Sequence, residues 1–313
     1  MILTEKPPVH NQLEFFIEEA VKSRPVRTAV VHPVERNGLK GAIEAAQRGL
    51  IEPILVGPEA KIRVTAERES LDISGYQLID VEHSHAAAEK AVDLVREAKA
   101  ETLMKGDLGT SELLNAVIHK TRGIRTERRL SHTFVLDVPN YHKPLMITDA
   151  AINVTPDLLV KRDIVQNAIN FCHALGIEQP KVAILAAVET VKPSMPSTID
   201  AAALCKMTDR GQITGAILDG PLAFDNAISQ QAAIDKHISS PVSGDADILL
   251  APDLESANMI AKQLIYLADA KSAGIALGAK APIILNSRSD GTLARLASCA
   301  LASHMVLHPE TLK

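Results

Sequence analysis

The 313-residue sequence has no Trp, five Phe, three Tyr and three Cys. With so few large aromatics, an interior drawn from the 46% hydrophobic fraction has to be aliphatic. Cys172, Cys205 and Cys299 are an odd number, lie far apart and form no C-x-x-C pair, so no disulfide framework is indicated. Each falls in an apolar helical pattern, which predicts buried free thiols in a reducing compartment, the cytoplasm. No apolar run approaches the ~20 residues that span a bilayer. The amino-terminal MILTEKPPVHNQLEF lacks the basic-then-apolar layout of a signal peptide, so no membrane partner is expected. An excess of positive charge is missing as well. The 33 Lys and Arg face 38 Asp and Glu, and a net charge of -5 argues against a nucleic-acid partner.

Several chemistries lack their motifs. There is no G-x-x-x-x-G-K-[ST] and no G-x-G-x-x-G, which removes support for nucleoside-triphosphate and simple dinucleotide sites. No G-x-S-x-G elbow presents a nucleophilic Ser. The eleven His do not cluster with Cys at zinc spacing. No two Asp stand four apart on a helical pattern to clasp a divalent metal.

What is present is an alternation of apolar strands and amphipathic stretches. Strands are predicted at 27–33, 52–57, 76–81, 101–106, 131–138, 143–150, 181–188, 215–221, 246–252, 273–278 and 281–286. Helical periodicity fills most of the gaps, as in TPDLLVKRDIVQNAINFCHALGI. The reading is α/β, mostly parallel, with crossover helices. A chain of this length predicts two domains. One segment breaks the rhythm: SHTFVLDVPNYHKPLMITDA reads as an antiparallel hairpin turning at Pro139-Asn140, and a domain begins near it.

Polar turns at strand ends carry the candidate chemistry, because ligands of open α/β sheets bind at the carboxyl ends of strands. The strand APIILN gives way to Asn286-Ser287-Arg288-Ser289-Asp290 before a helix. Arg288 can grip a phosphate bidentately, and the helix N-terminus can add its amides. Capping by Ser289 or Asp290 is the plainer reading, but it does not require the neighbouring Arg. In LDGPLAFDNAIS, Asp219 and Gly220 are expected to end a strand and Pro221 to open a helical turn. In ITDAAINVTPDLLVK, Asp149 falls at a strand end, Asn153 in the loop, and Thr155 reads as an N-cap. Both segments also fit simple turn formation. HKTRGIRTERRLSH gathers Lys120, Arg122, Arg125, Arg128 and Arg129, either a solvated loop or a landing patch for a multiply phosphorylated ligand.

Together these loops resemble the phosphate acetyltransferase and phosphate butyryltransferase family. The matching segments are MKGDLGTSELLNAVIHKTRGIRTERRLSH, TDAAINVTPDLLVKRDIVQNA, DRGQITGAILDGPLAFDNAIS, SGDADILLAPDLESANMIAKQL and AKSAGIALGAKAPIILNSRSD. The resemblance implies a fold like that of the isocitrate and isopropylmalate dehydrogenases. Two mostly parallel, three-layer α/β domains would flank a cleft. Domain I is expected at 1–135, completed by the returning segment 278–313, and domain II at 136–277.

The resemblance also implies reversible transfer of a short acyl group between coenzyme A and inorganic phosphate, in a homodimer. Coenzyme A is then a substrate, with no tightly bound cofactor and no metal. Ser287 would donate to the developing charge, Arg288 would hold phosphate and Asp290 would be the base. Arg125, Ser131, Asp149, Asn153, Asp219, Gly220 and Pro221 would bind substrate. One departure stands out. The acetyl branch carries its base about two turns beyond the Ser-Arg pair, where Thr292 to Ala297 contain no acid. The close Ser-Arg-x-Asp spacing is that of the butyryl branch, and a capping role for Asp290 stays open. Two other readings are a metal-dependent 2-hydroxyacid dehydrogenase on the same fold and a non-catalytic acyl-coenzyme A binding protein.

Overall fold

The computed structural model describes residues 11–286 and 290–312. These fall into two compact units, one of Glu14–Leu130 with the chain from Ala273 onward, the other of Ser131–Ser272 with the described residues before Glu14. The unit boundaries lie five residues ahead of the 135/136 and 277/278 steps expected from the sequence.

The chain opens with α1 (Gln12–Val21), β1 (Val26–Val31), α2 (Arg36–Gln47), β2 (Ile51–Gly57), α3 (Glu59–Arg68), β3 (Gln77–Asp80), α4 (Ser84–Arg96), β4 (Thr102–Lys105) and α5 (Thr110–Val117). The second unit holds β5 (Ser131–Asp137), β6 (Leu145–Thr148), α6 (Leu158–Ala174), β7 (Lys181–Leu185), α7 (Pro196–Asp209), β8 (Ile217–Leu222), α8 (Phe224–Ile228), α9 (Gln230–Asp235), β9 (Ile248–Leu250) and α10 (Leu254–Leu267). The chain then returns through β10 (Lys271–Leu277), β11 (Ile283–Ile284) and α11 (Thr292–Leu307). Every one of these strands overlaps a run read from the sequence.

In the first unit the strand order is β3-β2-β1-β4-β11-β10. All pairs are parallel except β10 with β11, a hairpin the sequence reading had not singled out. Parallel pairing places the carboxyl ends of β1, β4 and β11 along one edge. α2 shows why the flanking helices form. Leu39, Ala42 and Ile43 recur at helical spacing and are buried, while the Glu35 carboxylate caps the amino end at the amides of Asn37 and Gly38. Burying Ile43 alone is worth about 1.5–3 kcal/mol. That face packs on β2, α3 and α11, whereas α4 packs with α5 and the strands β1, β2 and β4.

The second unit orders its strands β5-β6-β9-β7-β8, with only the β5–β6 hairpin antiparallel. Its core is aliphatic as expected, with Leu136, Leu145, Ile147, Leu185 and Leu249 all buried. Two local readings change. Helix α6 is capped by Asp157, which accepts from the Val160 amide at 2.9 Å, so Thr155 is not the cap. Pro221 lies inside β8 and not in a helix, and Asp219 and Gly220 are also interior to that strand. β8 is the last strand in the order, where no ladder bond needs a proline amide.

Candidate active site

Among the described residues, the polar side chains gather at the carboxyl ends of strands in each unit. In the first unit that edge carries His32 after β1, Lys105-Gly106-Asp107 at β4, and Asn286 after β11. Ser287, Arg288 and Ser289 lie outside the described residues. Asp290 re-enters beside Asn286, whose amide nitrogen donates to the Asp290 carboxylate at 3.3 Å and to Ser298 Oγ at 3.1 Å. Ser298 is buried on α11, donates to the Ala294 carbonyl and accepts the Gly274 amide of β10. It therefore pins Asn286 to two elements. Helix α11 has Gly291 as its N-cap, next to Asp290.

The β1–β4 junction is tightly built. The Gly106 amide donates to the Val31 carbonyl and the Asp107 amide to the His32 carbonyl, both at 2.9 Å. A Cβ on Gly106 would stand 2.5 Å from Val31 O and 2.7 Å from His32 O, so only glycine fits this approach. The sequence reading missed His32, Lys105, Asp107 and Asn286 as individual residues. An apolar strand ending in a polar residue was the available signal at each.

The basic segment lies elsewhere in the same unit. Arg125 is exposed and forms an antiparallel bridge with Ala279, near the amino end of β11. Thr126 Oγ1 donates to the Gly278 carbonyl at 2.7 Å and the Lys280 amide donates to Ile124, which ties this loop to the β10–β11 turn.

In the second unit, Asp149 follows β6 and is 3% exposed. Its Oδ1 accepts from the amides of His132, Ala151 and Ile152, and its Oδ2 accepts from the Asn153 amide and side chain. Burial holds its carboxyl above the usual range, opposed by those same donors. The turn-forming reading of Asp149 thus accounts for both its oxygens. Ser131 is fully buried, its hydroxyl accepting from Asn167 Nδ2 at 3.0 Å. The neighbouring His132 ring is also buried, packs edge-on to Phe134 at 4.6 Å, and is pushed down to about 4 by loss of solvent. Asp219 Oδ1 accepts from the Gly220 amide. A Cβ on Gly220 would meet Ile184 Cβ at 2.7 Å and Ile184 O at 2.8 Å, so Gly220 is required by its neighbouring strand. Beyond β8, Glu189 takes the Asn226 amide at 2.6 Å and pairs with Lys236, which also meets Asp225 at 3.0 Å.

The three cysteines are free thiols. Cys172 and Cys299 are buried, but Cys205 is only partly so, a correction to the expectation of three buried thiols. Burial raises all three, Cys205 and Cys299 to about 12, so none is a ready thiolate nucleophile.

Comparison with known proteins places the chain. The phosphate acetyl/butaryl transferase family model matches residues 84–302, a span containing all ten residues singled out from the sequence. A phosphate acetyltransferase of Rhizobium meliloti is 56% identical over 297 residues, 95% of this chain and 94% of that protein. A phosphate butyryltransferase of Clostridium acetobutylicum is 40% identical over 284 residues, 90% of this chain and 94% of that one. Among solved structures, a branched-chain phosphotransacylase from Enterococcus faecalis V583 superposes with a TM-score of 0.79 at 28% identity, over 90% of this chain and 99% of its own. The chain is thus a member of the phosphate acetyl/butyryl transferase family.

Proposed function

We propose that the protein is a phosphate acetyltransferase, transferring acetyl between coenzyme A and inorganic phosphate. The observation that carries this is the 56% identity to a phosphate acetyltransferase across 95% of the chain. The short Ser-Arg-x-Asp spacing leaned toward the butyryl branch. Whole-chain identity favours acetyl, at 56% against 40%.

In the direction of acetyl-coenzyme A synthesis, the thiol must lose its proton to attack the acyl phosphate carbonyl. Asp290, which accepts from the Asn286 side-chain amide, takes that proton. Ser287 donates to the carbonyl oxygen as charge grows on it, and Arg288 holds the phosphate through its planar fork. The C–S bond forms as the C–O bond to phosphate breaks. Asn286, fixed by Ser298, positions Asp290. Asp149 shapes its loop through the Ala151, Ile152 and Asn153 amides, and Ser131, Asp149 and Asn153 are assigned to substrate binding on this loop's side of the second unit. Asp219, Gly220 and Pro221 form a further substrate-facing edge of the second unit. Arg125, exposed on the loop tied to the β10–β11 turn, is assigned to the phosphorylated end of coenzyme A.

The enzyme is read as a cytoplasmic homodimer with no tightly bound cofactor and no metal in its chemistry. Free thiols support the compartment, and among the described residues no helix is long and apolar enough to cross a membrane. The test is an assay of purified protein with acetyl, propionyl and butyryl phosphates and coenzyme A. Acetyl transfer with the highest kcat/KM supports the reading, and absence of transfer with all three overturns it.

A further inference from the structure

We propose that the first unit carries an accessory ligand site for a carboxylate with an apolar body, at the amino ends of its strands. β1, β4 and β11 start side by side, with Arg27 in β1, Glu101 just before β4 and Lys280 just before β11. With the last turns of α4 and α11 and the final turn at Leu312, they enclose a groove of about 410 Å³. That volume falls in the range of small-molecule sites, about 300–1,000 Å³. The groove lies at the opposite end of the strands from His32, Lys105 and Asn286.

Its lining combines positive charge with apolar surface. Arg27, Arg96 and Lys280 face one carboxylate, Glu101. That carboxylate is already neutralised. Arg24 grips both its oxygens, at 2.9 and 2.7 Å, and the Arg27 amide adds a bond at 3.1 Å. Arg27 spends only Nε on it, at 3.4 Å, and among the described residues its two Nη groups have no partner. Lys280 is exposed, and its ammonium is unpaired among the same residues. Arg96 pairs with Asp93 one turn away on α4, an exposed pair of little strength.

The carbonyl ends of α4 and α11 oppose an anion here, each by about half a charge, and three cations outweigh them. Two neighbouring grooves that also touch Arg27, of about 630 and 270 Å³, hold two cations each and take in the carboxylate of Glu52, so they are less positive. Ile124, Val306 and Leu312 supply the apolar wall, where a chain or ring can leave water. A planar carboxylate matches the Arg27 fork, and Lys280 adds a point charge. A phosphate dianion would give up more hydration against this wall than a carboxylate does.

Calorimetric titration with octanoate tests this, with 1-octanol as the uncharged counterpart. Octanoate should bind the wild-type protein at one site per chain, more tightly than 1-octanol does. Lys280→Gln and Arg96→Gln should each weaken it about tenfold, the loss of a charge-assisted bond, with Tm near wild type. Val306→Phe, which fills the groove, should abolish it. No saturable binding of octanoate, equal affinity for 1-octanol, or affinity unchanged in the two Gln variants would overturn the site. None of these measurements needs acyl transfer, so they stand or fall separately from that activity.

Discussion

The side-chain amide of Asn286 donates to the Asp290 carboxylate at 3.3 Å, while the helix beyond takes Gly291 as its cap. A carboxylate that sits one residue outside the cap and is held by a polar neighbour is suited to exchanging a proton. Asp290→Asn should therefore lower kcat by about 10²–10⁴ while Tm changes little. A capping Asp would show the opposite pattern, a loss of about 1 kcal/mol of stability with kcat intact.

The Ser-Arg pair separates binding from chemistry. Arg288→Lys keeps the charge but loses the fork, so KM for phosphate should rise while the circular dichroism spectrum stays unchanged. Ser287→Ala should lower kcat by about 10²–10³ with a smaller effect on KM, as for a contact made mainly in the transition state. Near-normal constants for both variants would remove this turn from the mechanism.

Asp149 supports a different expectation. Asp149→Asn replaces one acceptor oxygen with an NH₂ group facing donor amides. Urea denaturation should show a loss of about 1–3 kcal/mol, the cost of buried polar groups left unpaired. An unchanged midpoint would mean that the loop holds its shape without this carboxylate.

His132 links stability to pH. Its folded value, about 4, lies below the ordinary 6.5, so the unfolded chain binds the extra proton between those values. Its contribution is present above pH 6.5 and is lost as pH falls toward 4, about 3 kcal/mol in all. Glu101, held at about 2 chiefly by its bond to Arg24, loses its own contribution only below 4.5. Urea midpoints from pH 7 to 4.5 should fall in the wild type and flatten in His132→Gln. Parallel curves for the two proteins would contradict this.

The strands were legible in the sequence because each is an apolar run bounded by polar residues, and the β5–β6 hairpin because Pro139-Asn140 interrupts one. Pro221 was misread because proline signals a turn, and only the place of β8 at the end of the strand order admits it within a strand. Asp149 was found as a strand-end acid. Its occupation was hidden, because the His132 amide comes from the paired strand 17 residues earlier. His32 showed only as a polar residue ending an apolar strand; its bond to the Asp107 carbonyl, 75 residues away, is visible only in the fold. Local pattern shows elements and chemically suggestive turns, whereas donors contributed by distant strands emerge only from the fold.

The central claim is direct acyl transfer without a covalent enzyme intermediate, and the initial-rate pattern of the purified protein tests it most directly. With acetyl phosphate and coenzyme A varied together, double-reciprocal lines should intersect, as for a ternary complex in which all three cysteines remain bystanders. Parallel lines, or an acetylated Cys or Ser isolated after incubation with acetyl phosphate alone, would contradict it.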